Sequence, residues 1–160
     1  MSNNIYLKKI LKLYYFFKNP LYKVYCFIFR PKSLGVKIIV ENNGKLLMTK
    51  LGYAHKKWVF PGGAVNKKEN AEQTAVRELE EETGIKTNKL IEIGEYTSER
   101  NYKKNIVKCF YLLADSSFVK IDNFEVIDSG WYNPQELPKD CSVSIPQIIK
   151  IYQQYKLKQN

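Results

Sequence analysis

Six of the 16 carboxylate side chains in this 160-residue chain lie between positions 69 and 82. They fall in the stretch GGAVNKKENAEQTAVRELEEETGI, Gly62 to Ile85, although the chain as a whole carries a formal charge of +10. On an α-helix Glu78 has Glu81 and Glu82 three and four positions away, so these three side chains cluster on one strip. Like charges at those spacings oppose the helix by roughly 0.2–0.5 kcal/mol per pair. The strip also falls in the last turn, where the helix dipole disfavours anions by roughly 0.3–1 kcal/mol each. A helix that used glutamate only for solubility would carry it near the start. Arg77 can offset one charge, not three. The plain reading is a solvated helix face; the chemical one is a bound divalent cation. All the ligands offered are oxygens and no cysteine is near, so Mg²⁺ or Mn²⁺ is expected rather than zinc. Gly62 and Gly63 precede the helix with no side chains to block a metal or a phosphate from their backbone.

The flanking sequence predicts the elements that must position this strip. GVKIIVENNGKLLMTKL reads as two strands joined by a tight Asn43-Gly44 turn, and KWVFPGG as a short strand running into a Pro-Gly-Gly loop. Asn70 is placed to cap a helix over 71–83, with Gln73 reaching back as in a capping box, and Gly84 to end it in the left-handed region. Ala71, Ala75, Val76, Leu79 and Thr83 form its expected core face. Further strands are expected at 89–97, 105–114 and 125–132. Ser144 and Gln147 repeat the capping-box spacing, and Pro146 suits a first turn. They open a last helix with Ile145, Ile148, Ile149, Tyr152 and Tyr155 on one side. Strands and helices mixed in this way indicate α/β or α+β layers around one sheet.

The acidic stretch resembles the box of the Nudix hydrolases: Gly, five residues, Glu, seven residues, then Arg-Glu-aliphatic-any-Glu-Glu-any-Gly-aliphatic. Here these are Gly63, Glu69, Arg77, Glu78, Leu79, Glu81, Glu82, Gly84 and Ile85, with no fixed position missed. WVFPGG before the box and SGWYNPQELP after it are also similar to the family, and the resemblance covers about residues 35–150. Lys68 stands where many members have glycine. The resemblance implies a Nudix fold, a mixed β-sheet sandwiched between α-helices. It implies hydrolysis of a nucleoside diphosphate linked to another moiety, with Mg²⁺ or Mn²⁺. Glu78, Glu81 and Glu82 match the box carboxylates that bind metal, and the Gly63 backbone is a further metal contact. Glu78 or Glu81 could double as the base for water, although some members place the base outside the box. Glu69 and Arg77 match positions that hold the loop and helix in shape, Arg77 counting with the catalytic set. Family members are often dimers.

Substrate residues are less marked. Lys56, Lys57, Arg100, Lys103 and Lys104 flank the box and could meet phosphates, each also reading as a solvated surface charge. Trp58 and Tyr102 could stack on a base or simply pack. Tyr102, 17 residues past Ile85, is similar to the tyrosine placement of diadenosine polyphosphate hydrolases. The proline of many ADP-ribose pyrophosphatases is absent, since positions 100 and 101 are Arg and Asn. No coenzyme A or NADH subgroup signature is present, and a house-cleaning role on oxidised nucleoside triphosphates is retained. Two rivals stand beside the enzyme. One is a Nudix-like regulator that binds a nucleotide or sugar nucleotide without cleaving it, for which the full carboxylate set is unnecessary. The other is an RNA-end-processing protein suggested by the basic charge; without a contiguous stacking motif, nucleic acid ranks below a small-molecule nucleotide.

Apolar residues at 44% and charged residues at 26% describe an ordinary globular chain, and a pI near 9.4 favours phosphate-bearing partners. Cys26, Cys109 and Cys141 are odd in number and widely spaced, which suggests neither a disulfide framework nor a zinc site and fits a reducing cytoplasm. His55, the sole histidine, reads as a surface or packing residue. The chain divides into a basic amphipathic helical segment over 1–33 and a Nudix domain over 34–160. Within the first part, the apolar run Leu13–Phe17 is too short for a signal peptide, and Lys18, Pro20 and Lys23 break any membrane span. Segments 4–18 and 21–29 are expected to pack on the domain or a second subunit; the alternative is peripheral membrane contact through residues 4–30.

Overall fold

In the computed structural model, residues 32–52, 57–100, 103–121 and 125–159 are described. The N-terminal segment's expected helices, Cys26, His55, Lys56 and Tyr102 lie outside them. The order is β1 (Lys32–Asn42), β2 (Lys45–Leu51), β3 (Trp58–Val59), α1 (Ala71–Thr83), β4 (Ile91–Arg100), β5 (Lys103–Leu113), β6 (Val126–Tyr132) and α2 (Ile145–Leu157). Asn43 and Gly44 take positive φ, 49° and 73°, so the expected hairpin turn joins β1 to β2 with Asn42 opposite Lys45.

One sheet runs β3-β2-β1-β5-β4, with β6 also antiparallel to β2 from Leu46–Tyr132 to Leu51–Val126. Its period-two alternation decides which helix each residue meets. Val36, Ile38 and Val40 of β1, Leu47 of β2, and Phe110 and Leu112 of β5 join Ala75 and Leu79 of α1 in one core cluster. The opposite face sends Ile39, Leu46, Met48, Cys109 and Tyr111 to Ile145, Ile148 and Tyr152 of α2, together with Trp58 and Phe60. A mixed sheet between two helices is the expected α+β sandwich. Cys109 is fully buried, and burial pushes its thiol up to about 12, as suits a packing residue.

Two compact units divide the chain. One comprises 1–33 and 98–105; of its described residues, Asn105 receives the Ser33 hydroxyl and donates to the Ser98 carbonyl. The other, 34–97 and 106–160, holds α1 and α2 and the two core clusters that pack against them.

Two details depart from expectation. Ser144 precedes α2 in a helical conformation and makes no side-chain cap, so the second capping box is not formed; its hydroxyl lies 3.2 Å from that of Ser142. Val76 is only half-buried and outside the cluster, because the buried arc of α1 turns toward Thr74, Ala75, Leu79, Glu82 and Thr83.

Candidate active site

The helix carrying the acidic strip is fixed at both ends. Gln73 N donates to Asn70 Oδ1 at 2.8 Å and Asn70 N to Gln73 Oε1 at 3.0 Å, the reciprocal box that satisfies two otherwise unpaired donors. At the other end Gly84 takes φ 71° and its N–H reaches the Glu80 carbonyl. The helix therefore stops just after Glu82 and Thr83.

The Pro-Gly-Gly loop lies alongside β1. Ile38 N donates to Pro61 O and Val36 N to Gly63 O, both at 2.9 Å. Gly62 has φ 129°, and a Cβ there would fall 2.3 Å from the Val36 carbonyl oxygen, so no other residue fits. A Cβ on Gly63 would fall 2.6 Å from the Glu78 carboxylate. Gly62 thus lets the loop lie against β1, and Gly63 leaves room for the Glu78 carboxylate over it.

Arg77 gathers more charge than the sequence suggested. Its Nε and Nη2 hold Glu69 at 2.9 and 3.1 Å, and its Nη1 lies 2.9 Å from both Glu78 and Glu81. It contacts three carboxylates, yet its single positive charge still offsets only one of them. Glu69 also accepts from Thr74 Oγ1 and Asn66 Nδ2, which ties the pre-helix loop to the helix. Hydrogen bonds that Arg77 donates to Glu69, Glu78 and Glu81 raise its already high pKa, so the guanidinium stays charged.

Glu82 is separate from that network. It is 5% exposed and accepts from the Gly62 N–H at 3.3 Å. Desolvation pushes its carboxyl up to about 7; the Lys37 charge and the Gly62 hydrogen bond oppose this, while Glu78 and Glu125 add to it. Lys37 of β1 donates from Nζ to Phe60 O at 2.7 Å and Gly62 O at 2.9 Å. Burial holds its pKa below the ordinary lysine value, against the pull of Glu82 and Glu78. Among the described residues no three His, Cys, Asp or Glu side chains converge as a metal cage: Glu78 and Glu81 turn to Arg77, and Glu82 to the loop.

Lys37 is the site residue that sequence reasoning missed. It left a trace, a lysine inside the otherwise apolar GVKIIV strand. Of the residues read as substrate contacts, Trp58 is 8% exposed in the core, edge-on to Tyr132 at 5.1 Å and with Lys50 Nζ 5.5 Å from its ring centroid. It packs rather than standing open for a base. Lys57 is half-buried and its charge acts on the Cys141 thiol. Lys104 is exposed, and the side chains of Arg100 and Lys103 lie outside the described set.

A family model, "NUDIX domain", matches residues 31–150. A Bacillus subtilis (strain 168) protein named "Putative 8-oxo-dGTP diphosphatase YtkD" is 34% identical over 108 residues, 67% of this chain and 65% of the relative. An RNA pyrophosphohydrolase of Teredinibacter turnerae is 38% identical over 58 residues, 36% of this chain and 33% of that protein. The chain thus spans less than two thirds of the length of either relative. Among solved structures, a MutT NUDIX hydrolase from Burkholderia pseudomallei superposes with a TM-score of 0.68 at 21% identity, over 74% of this chain and 96% of that one. That likeness is one of fold. With a match over most of its length and every fixed position of the box in place, the chain belongs to the NUDIX domain family.

Proposed function

We propose that this protein hydrolyses the pyrophosphate bond of a nucleoside diphosphate linked to another moiety, using Mg²⁺ or Mn²⁺. One observation carries the reading: Glu78 and Glu82 meet the same two-residue glycine loop, one over Gly63 and the other on the Gly62 N–H.

The donor chemistry suits a hard divalent cation, and holding one would require Glu78 and Glu81 to turn from Arg77. The donors are carboxylate and carbonyl oxygens, and a buried carboxylate under desolvation strain favours an added positive charge. Glu78, Glu81 and Glu82 would hold the ion with the Gly63 carbonyl, which gives one lone pair to Val36. Such an ion screens the phosphate charge and lowers the pKa of a water. The chain's own residues do the rest. The capped helix keeps the glutamates in register, and Arg77 with Glu69 locks the helix to its preceding loop. Arg77 also competes with the ion for Glu78 and Glu81, which sets how firmly it is held.

The relatives' names set the first substrates to try. A panel of 8-oxo-dGTP, ADP-ribose, other nucleoside diphosphate derivatives and 5′-triphosphate RNA is assayed for product release with magnesium, with manganese and with chelator. Metal-dependent release from a small nucleotide is expected. Tight binding without release on every member would favour the regulator, and release from RNA alone would favour end processing.

A further inference from the structure

We propose that Lys37 is a positioning residue of this site: from β1 its ammonium clamps the Phe60 and Gly62 carbonyls and so holds the Gly62 N–H against Glu82. The catalytic part of this inference rests on the hydrolase reading; the geometric part does not.

Four consecutive carbonyls of the loop are tied to β1 in alternation. Phe60 O and Gly62 O accept from Lys37 Nζ at 2.7 and 2.9 Å, while Pro61 O and Gly63 O accept from the backbone N–H groups of Ile38 and Val36. The Gly62 N–H belongs to the peptide plane whose carbonyl is that of Pro61. In a trans peptide the N–H and C=O point in opposite directions, so holding Pro61 O on β1 turns the Gly62 N–H away from β1. It then meets Glu82 Oε2 at 3.3 Å. Lys37 pins the planes on either side of this one. Removing it would leave two part-buried carbonyls without their donor and loosen both flanking planes, so that the middle plane is held by the Ile38 N–H alone.

Stability alone is a poor reason for a lysine here. The position lies inside a strand whose neighbours Val36, Ile38 and Ile39 are fully buried. An apolar side chain would avoid the cost of desolvating an ammonium. The same ammonium acts favourably on both Glu82 and Glu78, so one side chain serves the loop and two carboxylates together.

The test compares wild type, Lys37→Met and Lys37→Cys, the last before and after aminoethylation, which restores an ammonium at nearly the lysine length. Wild type aminoethylated in parallel controls for Cys26, Cys109 and Cys141. Two readouts are taken: hydrogen exchange of the Gly62 amide, and steady-state kinetics on whichever panel substrate the wild type cleaves. In Lys37→Met, Gly62 exchange is expected to quicken by about tenfold or more. The kcat is expected to fall by about tenfold or more with KM within about threefold, because the residue acts on geometry rather than on substrate binding. Aminoethylated Lys37→Cys should recover both. Wild-type exchange at Gly62 in folded Lys37→Met overturns the inference, as does unchanged kcat beside an active wild type. If Lys37→Met does not fold, refolding Lys37→Cys with and without aminoethylation decides: a recovered fold without recovered Gly62 protection overturns it. A wild type inactive on the whole panel removes the hydrolase reading and leaves the exchange result to decide Lys37 alone.

Discussion

Glu82 and Arg77 do different work although they stand five positions apart on one helix, and substitution should separate them. Glu82→Gln keeps size and the Gly62 hydrogen bond but removes the buried charge. Turnover is expected to fall by about a hundredfold or more, the scale of losing one strong transition-state contact, with the melting temperature unchanged or raised because a desolvated charge is gone. Near-wild-type turnover in that variant would remove Glu82 from the chemistry. Arg77→Ala, by contrast, frees Glu69, Glu78 and Glu81 at once. It should lower stability by about 1–3 kcal/mol, read in a urea melt, since it leaves a charged network without its cation. The nearness of Glu78, Glu81 and Glu82 along one helix was legible from spacing, but the turn of Glu82 away from the Arg77 contacts and onto the Gly62 N–H was not. Lys37 was not legible either, because its bonds to Phe60 and Gly62 depend on a strand lying along a loop, and no local spacing encodes that. Trp58 failed as a substrate contact for a related reason: an aromatic before a glycine loop reads the same whether its ring faces the core or a ligand.

The two helices are secured by different means, and each makes its own prediction. Local chemistry fixes α1, so its limits at Ala71 and Thr83 could be read directly from Asn70, Gln73 and Gly84. Asn70→Ala removes the acceptor for the Gln73 N–H and should cost about 1 kcal/mol, a fall of about 2–4 °C in melting temperature. An unchanged melting temperature would show that the cap carries no weight here. Tertiary contacts fix α2 instead, which is why its expected Ser144 cap did not form. Glu41 of β1, 7% exposed, accepts from Tyr152 Oη at 2.8 Å, Tyr111 Oη at 2.9 Å and Lys156 Nζ at 3.2 Å. Burial alone would raise the Glu41 pKa, but the hydrogen bonds from Tyr152, Tyr111 and Lys156 outweigh it and hold the carboxyl below its ordinary value. A depressed carboxylate pKa stabilises the fold above the unfolded-state pKa, about 4.3 for glutamate, and that contribution is lost as pH falls through the folded value. Melting temperature should therefore drop on acidification from pH 5 downward. Glu41→Gln should start lower at neutral pH and lose part of that slope, so that the two curves converge in acid. Parallel curves would show that Glu41 does not couple α2 to pH.

Across the whole molecule, charge is segregated. The segment 69–82 holds six of the 16 acidic residues and one of the 26 basic ones, so the excess of lysine and arginine lies elsewhere in the chain. The layered α+β architecture was legible from alternating strand patterns and two punctuated helices. The fate of the basic N-terminal part was not, because amphipathic segments of that length serve a domain face, a second subunit or a membrane surface with the same pattern. Among the described residues no helix is long and apolar enough to cross a membrane. The surplus positive charge makes a kinetic prediction that stands apart from these alternatives. A phosphate-rich substrate approaches a molecule of net charge +10 through a field that salt screens, with a Debye length near 10 Å at about 0.1 M. If that field steers the substrate, kcat/KM should fall by about threefold or more between about 20 and 200 mM monovalent salt at fixed free magnesium, while kcat stays level. The fall should be steeper for a nucleoside triphosphate than for a dinucleotide carrying fewer charges, because steering scales with the charge steered. A flat kcat/KM for both substrates would assign the lysines to solubility and leave the glycine loop and its glutamates to capture substrate unaided.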